Sequence, residues 1–199
     1  MKTQIRLSGT GGQGIIKIAV ILADAALYDG FNAVQSQAYG PESRGGASKG
    51  EVVISDTEIF YPKVELPDIV LCLSQEACDK YAYDIRSGGI LLIDSQHCSV
   101  DMEKLQGVNI YASPIISTAK TVIGNPLCVN TVALGTLVSL TNTVSKDAVL
   151  MAMEDNFKTK ILPLNIQAYE EGRKLCMKLL QENKRRAKAM ERVKRRPSK

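Results

Sequence analysis

DIVLCLS (residues 68–74) and GGILLIDS (88–95) are two nearly continuous apolar runs, each bounded by turn signals. Strands of that composition are buried on both faces, as in a parallel sheet covered by helices. The intervening QEACDKYAYDIRS has the length of a crossover helix, which a parallel connection requires. Working outward, QIRLS (4–8) reads as a first strand. IIKIAVILADAAL (15–27) is too long for a strand and rich in Ala and Leu, which predicts a largely buried helix ended by Gly30. FNAVQSQ (31–37) returns to extended chain, AYGPESRGGASKG (38–50) is turn-rich, and EVVIS (51–55) and VNIYAS (108–113) read as further strands. After Pro114 the pattern is helical, near 114–123, 126–141, 145–156 and from Asn165 to beyond Gln181. Ile166, Tyr169, Cys176, Leu179 and Leu180 form the apolar stripe of the last helix. The expectation is an α/β fold, a three-layer domain with a mainly parallel sheet and a helical C-terminal third.

Composition narrows the function classes. The chain has 199 residues, 45% of them hydrophobic, enough for one domain with a real core. Aromatics are scarce, so Leu, Ile, Val and Ala must do most of the packing. No apolar stretch is long enough to span a membrane, and MKTQIRLSG lacks the apolar centre of a signal peptide. A soluble, cytoplasmic protein is expected. The five cysteines, Cys72, Cys78, Cys98, Cys128 and Cys176, are scattered with no CxxC. That argues against a disulfide framework and against an iron–sulfur cluster bound by this chain alone. His97, the only histidine, adjoins Cys98, and neighbours on extended chain point to opposite faces, so a loop histidine is the better reading than a Cys–His nucleophile.

The net charge of +4 hides an asymmetry. Residues 183–199 hold nine Lys or Arg and one Glu, a net of +8, so the body carries −4. The expected division is a domain over 1–182 and a basic C-terminal tail over 183–199. Such a tail is a solvated appendage, or binds an acidic partner or nucleic acid. No aromatic nucleic-acid motif accompanies it, which counts against the last.

GTGGQG (9–14) lies between the first strand and the first helix and satisfies G-x-G-x-x-G through Gly9, Gly11 and Gly14. The helix N-terminus behind such a turn suits phosphate. A dinucleotide site also needs an acidic residue at the end of the second strand, and VQSQ (34–37) supplies none. Lys17 lacks a Walker context. Close strand–helix packing explains Gly14 but leaves the other glycines and Gln13 unexplained. A freestanding Rossmann-like dinucleotide-binding oxidoreductase therefore stands as the alternative reading. The second unusual stretch, QSQAYGPESRGGASKGEVVIS (35–55), carries Tyr39, Glu42, Arg44 and Lys49. Loops after the first and second strands of a doubly wound sheet open on one edge, so the two glycine-rich loops are expected to be neighbours.

GTGGQG followed by QSQAYGPESRGG closely resembles the gamma subunit, or gamma domain, of the 2-oxoacid:ferredoxin oxidoreductases, with Ala38 inserted in the second motif. GNPLCVNTVALGTL (124–137), with Asn130 and Gly135, is similar to a further helix of that family. The resemblance spans residues 4 to about 180 and is nearest the 2-oxoglutarate type. It implies a complex that converts a 2-oxoacid and coenzyme A (CoA) to acyl-CoA, CO2 and reduced ferredoxin. Thiamine diphosphate would sit on alpha and beta subunits and iron–sulfur clusters on a delta subunit or other domains, with no cofactor or metal on this chain. Gly9, Gly11, Gly12, Gln13 and Gly14, with Arg44 and Lys49, become candidates for the CoA side or the subunit junction. Arg44 either supplies charge to an anion or pairs with Glu42 or a partner carboxylate. Asp94 reads as a loop anchor or helix cap, and Gln75 and Glu76 as a helix start. Asn130, inside an apolar helix, needs a partner, either this chain's own backbone or the alpha subunit.

Overall fold

The computed structural model describes residues 1–38 and 46–194, with side chains described through residue 185. Six strands form one sheet: β1 (Lys2–Thr10), β2 (Asn32–Ala38), β3 (Ala47–Ser55), β4 (Ile69–Cys72), β5 (Ile90–Asp94) and β6 (Asn109–Ser113). Their order is β2-β3-β1-β4-β5-β6. β1, β4, β5 and β6 pair in parallel, and β3 runs antiparallel to both β1 and β2. The sheet is thus mainly parallel with one reversed strand. The helices are α1 (Ile15–Tyr28), α2 (Gln75–Tyr81), α3 (Ile115–Thr121), α4 (Val129–Thr141), α5 (Lys146–Asn156) and α6 (Leu162–Lys194).

Strand alternation sorts the side chains into two layers. Ile5, Leu7, Val52 and Ile54 face a large core shared with α1, α3, α4, α5 and the first turns of α6. Val70, Cys72, Leu91 and Ile93 face a smaller core under α2 and Leu105. α2 is short because the chain beyond it turns back to the sheet. Arg86 N donates to Pro67 O at 3.1 Å and Gly89 N to Arg86 O at 3.0 Å, so only the first half of the expected crossover helix forms.

Two further expectations change. β3 begins at Ala47, four residues before the predicted start, because Ala47–Gly50 pair across β1 with Leu7–Thr10. And β3 comes between β1 and β2, placing β2 two strands, about 10 Å, from the glycine turn. The segment that returns to meet the turn is therefore the start of β3. The helix ends follow local chemistry. Gly30 turns α1 off at φ 82°, Ser74 and Ser145 accept from Ala77 N and Ala148 N to cap α2 and α5, and Asn142 closes α4 in the left-handed region.

Candidate functional site at the carboxyl edge of the sheet

β1, β2, β4, β5 and β6 all end on one edge, where β3 begins. The glycine turn sits at its middle. Gly11 N donates to Gly46 O at 3.1 Å, so the two glycine-rich segments do meet. Gln13 is turned inward: its Oε1 accepts from Thr10 N at 2.8 Å and its Nε2 donates to Leu73 O at 3.4 Å. A Cβ on Gly9 would fall 2.4 Å from that same Oε1. Gly14 caps α1 at φ 72°, and a Cβ there would meet Asn130 Nδ2 at 2.3 Å. Gly9, Gln13 and Gly14 thus have work inside the chain. Gly11 and Gly12 are exposed, and Gly12, at φ 90°, has open space where a Cβ would stand. The result is a strip of bare backbone in front of a helix N-terminus that no side chain caps.

The strip is braced from behind. Asn130 Nδ2, at the start of α4, donates to Gly14 O at 3.2 Å. The partner Asn130 needs is therefore this chain's own backbone. Thr131 Oγ1 donates to Asn165 Oδ1 at 2.8 Å, and Asn165 Nδ2 donates to Ile161 O at 2.9 Å. This buried relay links the entries of α1, α4 and α6. Thr131 and Asn165 escaped the sequence reading, although two more polar residues at apolar helix starts carry the same signal as Asn130.

Beside the turn, the other loop ends are locked together. Glu76 Oε1 accepts from Ala47 N at 2.9 Å, tying α2 to the start of β3. Gln75 Oε1 accepts from Ser99 N at 2.8 Å. Asp94, fully buried, accepts from Gln96 N, His97 N and His97 Nδ1 through Oδ1 and from Ile116 N through Oδ2, at 2.8 to 3.0 Å. It is a loop anchor and a cap for α3. His97 is held by Asp94, whereas Cys98 Sγ donates to Cys72 O at 3.5 Å, so the adjacent pair makes no nucleophile. A hydrogen bond with the Cys78 thiol, and then burial, push the Cys98 thiol far up, keeping it protonated. Among the described residues no His, Cys, Asp or Glu group is arranged to hold a metal.

The two nominated cations fare differently. Arg44 lies outside the described residues. Lys49 is inside β3 and faces away from α1, since the next residue, Gly50, faces Ala19 of α1. Its Nζ lies 2.9 Å from Glu51 Oε1, which Arg6 Nε also reaches at 2.8 Å. Arg6 and Glu51 are buried, and both cations lie near the Tyr81 ring. Lys49 therefore belongs to a paired cluster under α2, and the structure does not bring it to the glycine turn.

Residues 4–175 match the family described as pyruvate ferredoxin/flavodoxin oxidoreductase. The chain is 48% identical over 180 residues to the 2-oxoglutarate synthase subunit KorC of Methanocaldococcus jannaschii, covering 90% of this chain and 96% of that one. The chain is a gamma subunit of the 2-oxoacid:ferredoxin oxidoreductase family. The gamma subunit of a keto/oxoacid ferredoxin oxidoreductase from Geobacter sulfurreducens superposes on this gamma subunit with a TM-score of 0.78 at 43% identity, over 90% of this chain and 98% of the other. A 2-oxoglutarate:ferredoxin oxidoreductase from Magnetococcus marinus, solved with 2-oxoglutarate, coenzyme A and succinyl-CoA bound, gives a TM-score of 0.81 at 25% identity. There the gamma subunit covers 89% of its own length but 31% of the longer chain. The subunit thus belongs to an oxidoreductase complex, and its fold recurs as one part of a larger polypeptide. The freestanding dinucleotide reading is displaced by this membership. The fold agrees, because β3 occupies the place beside β1 where a dinucleotide site would put its second parallel strand. No helix among the described residues is long and apolar enough to cross a membrane.

Proposed function

We propose that this gamma subunit serves a complex acting on 2-oxoglutarate and coenzyme A, and that the glycine strip faces the CoA path at the junction with its partners. Thiamine diphosphate and iron–sulfur clusters belong to alpha, beta and delta partners in this reading, with ferredoxin as the acceptor. The gamma subunit itself is a cytoplasmic scaffold without redox chemistry, built as a domain over residues 1–182 with a basic tail over 183–199. One observation carries the site. Gly11 and Gly12 present exposed backbone at an uncapped helix N-terminus, and a Cβ on Gly12 would meet open space. Gly11 N is taken by Gly46 O, but the N–H groups of Gly12 and of the uncapped first turn of α1 suit the pyrophosphate of CoA or an acidic side chain of a neighbouring subunit. Likeness to a protein solved with CoA bound supports the first occupant, and 48% identity to a 2-oxoglutarate synthase subunit supports the substrate.

Arg44, seven positions beyond the second motif's Gln37, is the cation proposed to join the strip, whereas Lys49 is already paired with Glu51. In the assembled enzyme Arg44→Ala is expected to raise KM for CoA about tenfold, the worth of one charge-assisted hydrogen bond, without preventing assembly. Lys49→Ala is the control, expected to lower stability and leave that KM alone. An unchanged KM in the Arg44 variant removes the CoA role. Dye reduction with 2-oxoglutarate, pyruvate and branched 2-oxoacids in parallel tests the substrate.

A further inference from the structure

The end of α6 has no place in the site above. Cys176 is the last buried residue among the described side chains of α6, and from Met177 to Arg185 every side chain is exposed or half-exposed. The helix nevertheless continues to Lys194, leaving an arm of 18 residues, about 27 Å long. Helices in proteins take most of their stability from tertiary packing, to which the exposed stretch Met177–Arg185 contributes little. This one carries Lys184, Lys188 and Arg192 at successive four-residue steps, where like charges repel. Its apolar residues do not stop at the body. Met177 and Leu180 are exposed, and Ala187, Met190 and Val193 continue the spacing in the sequence. A basic helix with an apolar stripe, exposed or half-exposed from Met177 to Arg185, calls for an acidic surface with an apolar floor.

That surface exists on the chain itself. Between α1 and α5 lies a groove of 410 Å³ lined by Asp24, Leu27, Tyr28 and Asp155. Leu27 is 56% exposed and Met151, one turn before Asp155 on α5, 47%. Glu154 stands exposed next to Asp155. Asp24 accepts from Asn156 Nδ2 and Asp155 from Tyr28, both neutral donors. Among the described residues none of the three carboxylates pairs with a Lys or Arg. The Tyr28 phenol registers the field: it is held above its ordinary range first by its hydrogen bond to Asp155, then by burial and by the charges of Asp155, Asp24 and Glu154. The charge totals agree, with +8 on residues 183–199 against −4 on the remainder. A net-negative body disfavours a nucleic-acid polyanion as the arm's occupant, and a protein helix groove is the better match for the apolar stripe.

We propose that the arm of one copy lies across the α1–α5 groove of a second copy, so that residues 177–194 join gamma subunits within an assembly. The contact sets the basic residues of the arm against Asp24, Glu154 and Asp155, and its apolar stripe against Leu27 and Met151. This inference is independent of the CoA reading, since it uses neither the glycine strip nor Arg44.

Sedimentation of the full chain in ~0.05 M and ~0.5 M salt tests it, because contacts between exposed charges weaken as the screening length shortens. The expected result is doubled mass in low salt and single mass in high salt. A chain ending at Glu182, which keeps every residue of α6 described as buried, is expected to stay at single mass in both. So is Glu154→Lys combined with Asp155→Lys, two exposed positions whose exchange leaves the core untouched. Mixed together in low salt, these two variants should recover a doubled mass, since one keeps the groove and the other the arm. Circular dichroism of each variant checks that it is folded. A full chain of single mass in low salt overturns the proposal, as does doubled mass that survives truncation. An arm that shifts a duplex DNA probe, or that is required only for capture of another subunit, while the chain stays single, overturns it as well.

Discussion

Two pairs of glycines behave in opposite ways. Gly135 on α4 and Gly172 on α6 stand where the helices cross. A Cβ on Gly135 would lie 2.1 Å from Tyr169 O, and one on Gly172 would lie 2.1 Å from Val132 O. Thr136 Oγ1, between them, is within 3.1 Å of both Val132 O and Gly172 O. Gly11 and Gly12 lie at the sheet edge, exposed, and a Cβ on Gly12 would meet nothing. The first pair is used up by the fold. The second serves the fold through its backbone alone, Gly11 by its bond to Gly46 O and Gly12 by its left-handed φ, and packing does not account for its exposure, so this is where a ligand or a partner is to be sought.

The crossing is where the largest stability effects are expected. Gly135→Ala and Gly172→Ala each drive a methyl into a backbone carbonyl that cannot swing aside, at a cost of about 3 kcal/mol or more. Thermal melting checks this, and a variant that melts with the parent would show that α4 and α6 can separate at no expense. The crossing also has a pH signature. Burial pushes the Tyr169 phenol up to about 12, opposed by the charge of Arg173 and aided by that of Glu170. A phenol whose pKa is raised on folding adds stability that is complete below about pH 10 and declines as pH rises towards 12. Urea unfolding across that window should show the decline, and Tyr169→Phe should flatten it.

A smaller effect is expected where the two regions are joined. Asn130→Ala leaves Gly14 O and Thr131 without their partner, a loss of about 2 kcal/mol. Because the same bond holds the glycine strip in place, activity of the assembled enzyme should fall further than stability alone explains. Equal losses in both would mean that Asn130 only braces the core.

Much of this was legible in the sequence, and the failures have physical causes. β4 and β5 were clear because strands buried on both faces need apolar residues at every position. α1 and α4 to α6 were clear from length and periodicity, and Gly30 marked the end of α1. The place of β3 was hidden, because which strand lies beside β1 is decided by pairing between distant segments and not by local pattern. Lys49 looked like a loop cation because glycines surround it. Only its alternation with Glu51, opposite an Arg6 that alternates with Ile5 and Leu7, hints at a buried ion pair. The end of α6 was left open beyond Gln181, since a run of like charges reads as tail even where the backbone remains helical.

The mildest variant separates the two glycine pairs most cleanly. Gly12→Ala adds a methyl into open space, so its only structural penalty is the left-handed backbone at φ 90°, about 1 kcal/mol. Gly135→Ala keeps normal helical backbone and suffers only from contact. If the strip faces CoA or a partner subunit, Gly12→Ala should melt close to the parent yet lose activity or assembly out of proportion, whereas Gly135→Ala should lose both in step. Titrating assembled enzyme with CoA then assigns the loss. A raised KM with normal assembly places CoA over Gly12, and failed assembly with normal KM in the residual complex places a subunit there. A Gly12 variant with parent-like assembly and kinetics would return the exposed glycines to the fold, as a turn that needs a left-handed residue and nothing more.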